Sequence, residues 1–153
     1  MEERPLEISN RALLSIAEIL MQEGRSFSFR VKGLSMSPFI SNGDIVTIQP
    51  LKGTVRTGDV LLVKNSFGLP VIHRVIKKTG SEVVTKGDAS VEPDEPVAYD
   101  KIVGKVVKIQ GKGYNFHLKF PFKYLIARGV FNSPVIRNTL FIPLLKRIAS
   151  LLG

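Results

Sequence analysis

The chain of 153 residues contains no cysteine, which excludes disulfides, thiolate metal sites and a cysteine nucleophile and leaves the redox compartment unreadable. Histidine is scarce as well: His73 and His117 are the only two, too few for a multi-histidine metal site. No secretory signal is legible, because Met1-Glu2-Glu3-Arg4-Pro5 is acidic where a positive n-region belongs and no apolar h-region follows. Nor is there a clean spanning helix. The most apolar tract, Tyr124 to Leu145, is interrupted by Arg128, Gly129, Pro134, Arg137 and Pro143, against the roughly 20 uninterrupted apolar residues that a bilayer requires. The expectation is a cytoplasmic or peripherally membrane-associated protein. Acidic residues are missing from one whole region: residues 101–153 hold ten Lys or Arg and no Asp or Glu, while residues 1–100 hold twelve basic and thirteen acidic. The formal charge of +9 is therefore all at the back. Such a field suits an anionic partner, phospholipid or nucleic acid, or describes a solvated basic face.

What is present reads as one globular domain, 44% apolar and 23% charged, long enough to bury a core. Ser9 to Glu23 is helical in period, with Ala12, Leu13, Ile16, Ala17, Ile19 and Leu20 on a stripe, Ser9 or Asn10 as cap and Gly24 as stop. From Ser26 the period changes to two. Phe27, Phe29 and Val31 alternate with polar residues, and Asp44–Gln49, Asp59–Lys64, Pro70–Lys77, Ser81–Lys86 and Ile102–Gln110 are β-branched runs set off by turn formers such as Asn42-Gly43 and Thr79-Gly80. Val91 to Tyr99, with two prolines, reads as a loop, and the strand signal fades after about Gly113. Short strands at this spacing predict a mainly β fold, a folded-over antiparallel sheet or partly open barrel. The organisation expected is an N-terminal amphipathic helix (1–25), a β domain (26–112) and a basic amphipathic tail (113–153) that meets a membrane interface, a partner or its own core.

Three separated blocks carry chemistry. Gly33-Leu34-Ser35-Met36-Ser37-Pro38 places a serine in a turn that Gly33 loosens and Pro38 rigidifies. Ile72-His73-Arg74-Val75 puts an imidazole on a mainly apolar strand face, where it needs a polar partner or an open cleft. Thr85-Lys86-Gly87-Asp88-Ala89 follows, with Asp94 six residues beyond Asp88. A hydroxyl nucleophile, an imidazole that takes its proton and a carboxylate that fixes the imidazolium are the parts of serine-type acyl transfer.

The first block together with Asn42-Gly43-Asp44-Ile45-Val46 resembles the nucleophile region of the type I signal peptidases and of the related self-cleaving SOS and phage repressors. The second block is similar to the endoplasmic-reticulum, archaeal and sporulation-type branch, in which His replaces the Lys base. The third resembles that branch too. The resemblance covers roughly residues 27 to 110 and implies a signal-peptidase-type β fold, with Ser35 as nucleophile, His73 as base and Asp94 as the orienting carboxylate. Asp88 is the alternative carboxylate or a structural partner. Asp44 and Gly43 are expected to form the turn beneath the serine, and Arg74 to make a structural ion pair. Many signal peptidases carry a Ser at the place of Gly33, so here only backbone N–H groups, that of Ser35 foremost, remain for the oxyanion. The expected activity is that of a serine endopeptidase cutting an extended peptide or preprotein next to small residues, without metal or organic cofactor. The competing expectation is a peptidase fold kept as a binding module. An anionic membrane surface is the expected partner of the tail. Nucleic acid is not, since about 25 residues before the first strand leave room for one helix and not a helix-turn-helix.

Overall fold

A computed structural model describes residues 8–118, together with Pro143 and Arg147. Most of the tail expected over 113–153 lies outside the described residues. Helix α1 spans Asn10–Gln22, and Ser9 caps it by accepting the Ala12 N–H at 3.2 Å. Its buried stripe is Leu14, Ala17 and Met21, while Ile16 and Ile19 face outward. Of the expected stripe Ala17 is buried and Leu20 packs against the core, and the buried side is shifted toward Leu14 and Met21. Among the described residues no helix is long and apolar enough to cross a membrane.

Among the described residues eight strands follow: β1 (Phe27–Arg30), β2 (Ile45–Gln49), β3 (Val60–Lys64), β4 (Pro70–Lys78), β5 (Glu82–Lys86), β6 (Val97–Ala98), β7 (Ile102–Gly111) and β8 (Tyr114–His117). They form one antiparallel sheet in the order β1-β2-β7-β3-β4-β5-β6, with β8 paired to β7. Register shifts at Thr47/Ile48, Leu62/Val63 and Val75/Lys77 bend the strands and curl the sheet into a half-barrel. Two differences from expectation have simple causes. Val97 tucks into the core and draws the end of the 91–99 segment into β6 and a short 3-10 turn at Tyr99–Lys101. Tyr114–His117 folds back as a hairpin on β7, through a turn where Gly113 has φ +81°.

Successive residues of a strand point to opposite faces, and here both faces are covered. Val60 and Leu62 enter one core with Met36, Phe39, Ile40, Val46 and Ile109, whereas Leu61 and Val63 enter another with Val55, Val75, Val83 and Val97. That two-sided burial explains the uninterrupted apolar run of β3.

One feature of the register positions the site. β4 pairs with β3 along Pro70–Arg74, but β5 joins it only from Arg74 onward. The other edge of Pro70–His73 is therefore without a strand partner among the described residues.

Candidate active site

Ser35 sits on a loop pinned from beneath. Met36, Phe39 and Ile40 are buried in the first core, so the loop cannot lift, and Ser35 itself is exposed. The chain closes on itself there: Ser37 N–H donates to Leu34 O at 2.9 Å and Ile40 N–H to Met36 O at 2.9 Å, around a cis Ser37–Pro38 peptide. Gly33 has φ +110°, a conformation that side chains resist, and its N–H donates to Asn42 Oδ1 at 2.9 Å. The 41–44 turn lies under the loop as the sequence leads one to expect. Gly43 N–H reaches Val31 O at 2.8 Å, and the buried Asp44 carboxylate accepts Ser41 N–H at 2.8 Å and the Tyr114 hydroxyl. Among the described residues the Ser35 N–H donates to nothing, which leaves it available at the rim.

His73 stands at the last position of β4 before β5 joins, and is 8% exposed. Its Nδ1 lies 2.5 Å from Asp94 Oδ2. The same oxygen accepts the hydroxyl of the fully buried Thr85 at 2.7 Å, and the Asp94 N–H donates to Thr85 O at 2.8 Å. Two donors thus converge on one carboxylate oxygen and fix both the carboxylate and the ring.

Asp88 is engaged elsewhere. Its two oxygens take Nε and Nη2 of Arg74 at 2.8 and 2.7 Å, the same guanidinium donates through Nη1 to Gly58 O at 3.0 Å, and it stacks 4.7 Å over the Phe39 ring. His73 and Arg74 are neighbours on a strand and point to opposite faces, so the two carboxylates are divided between them. The structure brings Asp94 to the imidazole and gives Asp88 to Arg74. His117, on β8, is exposed and paired in register with Lys108.

The serine and histidine segments meet at Gly87. Ala89 N–H donates to Ser35 O at 2.8 Å, which docks the loop after β5 on the Ser35 loop. A Cβ added to Gly87 would lie 2.6 Å from Ser35 O and 3.0 Å from His73 Nε2. The free edge of the imidazole therefore faces the Ser35 segment across the one residue without a side chain. A serine on an exposed turn, a ring nitrogen turned toward its backbone segment and a carboxylate behind the ring are the groups that acyl transfer uses. Thr85 and Gly87 are functional candidates that sequence reasoning missed. Thr85 was legible as the inward partner of Val83 in β5; Gly87 carried no signal beyond its motif.

Two clefts flank this point. One, of about 560 Å³, runs past Ser35 between Val31–Gly33 and Pro70–Ile72; the other, of about 700 Å³, opens at His73 and Asp94, and Val71 borders both.

The profile of the Peptidase S24-like family matches residues 4–112. The chain belongs to this family. The match takes in α1 and the sheet through β7, and β8 lies beyond it. Membership in the Peptidase S24-like family is compatible with a serine peptidase or a self-cleaving protein of this fold. No curated protein matches the chain at a significant level.

Proposed function

We propose that this Peptidase S24-like protein is a serine endopeptidase similar to the Ser-His-Asp branch of the signal peptidases. The observation that supports it best is the double engagement of His73: Nδ1 on Asp94 at 2.5 Å, Nε2 turned toward the Ser35 segment through the gap at Gly87. His73 takes the proton of Ser35 Oγ as that oxygen bonds to the scissile carbonyl carbon. The C–N bond then breaks, the same proton goes to the leaving amine, and an acyl-serine remains. Water, deprotonated by His73 in turn, releases it. Asp94 holds the ring and stabilises the imidazolium. The Ser35 N–H receives the oxyanion, and since Gly33 brings no hydroxyl, turnover is slow; one lost donor typically costs about 10²–10³ in rate.

The substrate enters as an extended strand. The open edge of Pro70–His73 on one side and Val31–Gly33 on the other offer main-chain groups to such a peptide, with pockets for alternate side chains. The basic residues after position 100 suit an anionic membrane surface, and salt-sensitive flotation with anionic liposomes tests that attachment.

The test of the chemistry is a serine-reactive fluorophosphonate. Labelling at Ser35 that disappears in Ser35→Ala and His73→Ala, together with cleavage of an Ala-x-Ala-type peptide by the unaltered protein only, is the expected result. Glycine at position 33, which brings no hydroxyl to the oxyanion, favours a second reading, a binding module on a peptidase fold, and an unlabelled protein that still binds the extended peptide would establish it.

A further inference from the structure

The turn that carries the Ser35 loop is gripped from a place outside the family-matched stretch. Tyr114 opens β8, two residues beyond residue 112, and its hydroxyl donates to Asp44 Oδ2. That carboxylate oxygen also accepts Ser41 N–H at 2.8 Å, while Asn42 in the same turn holds Gly33 N–H at 2.9 Å, two residues before Ser35. The chain of contacts is short: Tyr114, Asp44, the 41–44 turn, Gly33, Ser35. A second residue is shaped to it. A Cβ on Gly111 would overlap the Tyr114 ring and lie 2.5 Å from Asp44 Oδ1, so Gly111 is the seat that lets the ring cross over to the carboxylate.

We propose that Tyr114 is a positioning residue for the serine, holding the Ser35 loop in register by clamping Asp44 from β8. The tie is a donor bond in any usable pH range. Burial first, then the hydrogen bond and charge of Asp44, push the phenol well above its ordinary value, so it stays protonated, against a smaller opposing effect of Ser41. Holding a nucleophile to within a fraction of an ångström matters because a displacement of 1 Å costs about 10² in rate.

The proposal rests on the peptidase reading for its kinetic readout, and a second readout stands apart from it. Tyr114→Phe keeps the ring and removes the hydroxyl; Gly111→Ala displaces the ring. Each is expected to slow fluorophosphonate acylation of Ser35 about tenfold to a hundredfold. For the peptide, kcat should fall by more than KM rises, because the Pro70–His73 edge is untouched and only Gly33 of the opposite edge is loosened. Tyr114→Phe added to Asp44→Asn should cost no more than Asp44→Asn alone, since the hydroxyl acts through that carboxylate. Hydrogen exchange should quicken at the Ser41 and Gly33 amides and stay unchanged at Val60–Val63. Wild-type acylation and wild-type exchange in Tyr114→Phe would overturn the proposal, as would exchange that quickens equally in β3, which marks general destabilisation. If the unaltered protein is not acylated at all, it is the peptidase reading that fails, and exchange at Ser41 and Gly33 alone decides the clamp.

Discussion

Replacing Asp94 by Asn should hurt less than replacing it by Ala, for a reason specific to this site. In the native arrangement one carboxylate oxygen, Oδ2, accepts both His73 at 2.5 Å and Thr85 at 2.7 Å. An Asn side chain can put its amide oxygen there and its NH₂ toward the open cleft. The reverse placement points NH₂ at two donors. The Thr85 hydroxyl could then only accept, and with Thr85 fully buried its own hydrogen would go unpaired at a cost of about 1–3 kcal/mol. Thr85 therefore selects the productive rotamer, and Asp94→Asn loses the charge but keeps the tautomer. The charge matters when the imidazolium forms. At about 4 Å and an effective dielectric near 20 it is worth about 4 kcal/mol, or about 10³ in rate, and the Asp94 side chain is 32% exposed, which trims this toward 10². The expected loss in kcat is thus about 10²–10³ for Asp94→Asn, and about 10⁴ for Asp94→Ala, where His73 Nδ1 and Thr85 both lose their acceptor. Adding Thr85→Val to Asp94→Asn should raise the loss to the Ala level. Asp88→Asn should behave oppositely, sparing chemistry but lowering stability by about 3 kcal/mol through the stranded Arg74. Peptide cleavage rates and urea unfolding on the same samples separate these outcomes. Equal losses for Asn and Ala at position 94, or a rate collapse in Asp88→Asn without lost stability, would refute the reasoning.

Gly87→Ala should cut acylation of Ser35 by about 10² or more and lower stability in urea as well, because the new methyl would lie 2.5 Å from Ser90 Oγ, 2.6 Å from Ser35 O and 3.0 Å from His73 Nε2 and wedges the two segments apart; an active, fully stable variant would mean the segments meet elsewhere. Gly33→Ala meets no atom within 4 Å, so its cost is backbone strain alone at φ +110°, about 1–3 kcal/mol in urea unfolding, and a neutral variant would contradict that conformation. Of the three tyrosines, Tyr114 should ionise well above the ordinary phenol value of 10.0 in an absorbance titration of the folded protein. Its folded-state value is raised, so its contribution to stability is complete below pH 10.0 and is lost as pH climbs through the higher folded value. Tyr114→Phe should lack this late step; early ionisation of all the phenols would count against the buried contact with Asp44.

The strands were legible where β-branched residues alternate or run together, as in β2, β4 and β5. They were not legible where tertiary contact decides: β6 exists because Val97 finds a core, and β8 because Tyr114 finds Asp44, 70 positions away. The helix was readable but its buried side only in part: Ala17 and Leu20 of the expected stripe meet the core, yet period alone does not say that Leu14 and Met21 are buried while Ile16 and Ile19 are not. At the site, spacing could not choose between Asp88 and Asp94, because both follow β5. Strand alternation separates them in space: Arg74 points toward Phe39 and takes Asp88, and His73, one residue earlier, points toward Thr85 and takes Asp94. Thr85 was overlooked because a threonine in a strand is ordinarily a propensity choice and not the second anchor of a carboxylate.

The same alternation explains why the site lies where the sheet comes apart. Met36, Phe39 and Ile40 tie the Ser35 loop to one core, while Val71 and Thr85 set the His73 face against the other. Side chains on opposite faces of a continuous sheet cannot meet. They can meet only at an edge, and β4 supplies one where Pro70–His73 has no strand partner on its other side among the described residues before β5 joins at Arg74. The loop crosses there, fastened by Ala89 N–H on Ser35 O, and the absent side chain of Gly87 leaves the passage open. A strand edge without a partner invites unwanted pairing, and under the proposed reading a substrate peptide is what pairs with it. The fault in the sheet would then serve two needs at once, letting the serine reach the imidazole and laying the scissile bond along the line where they meet.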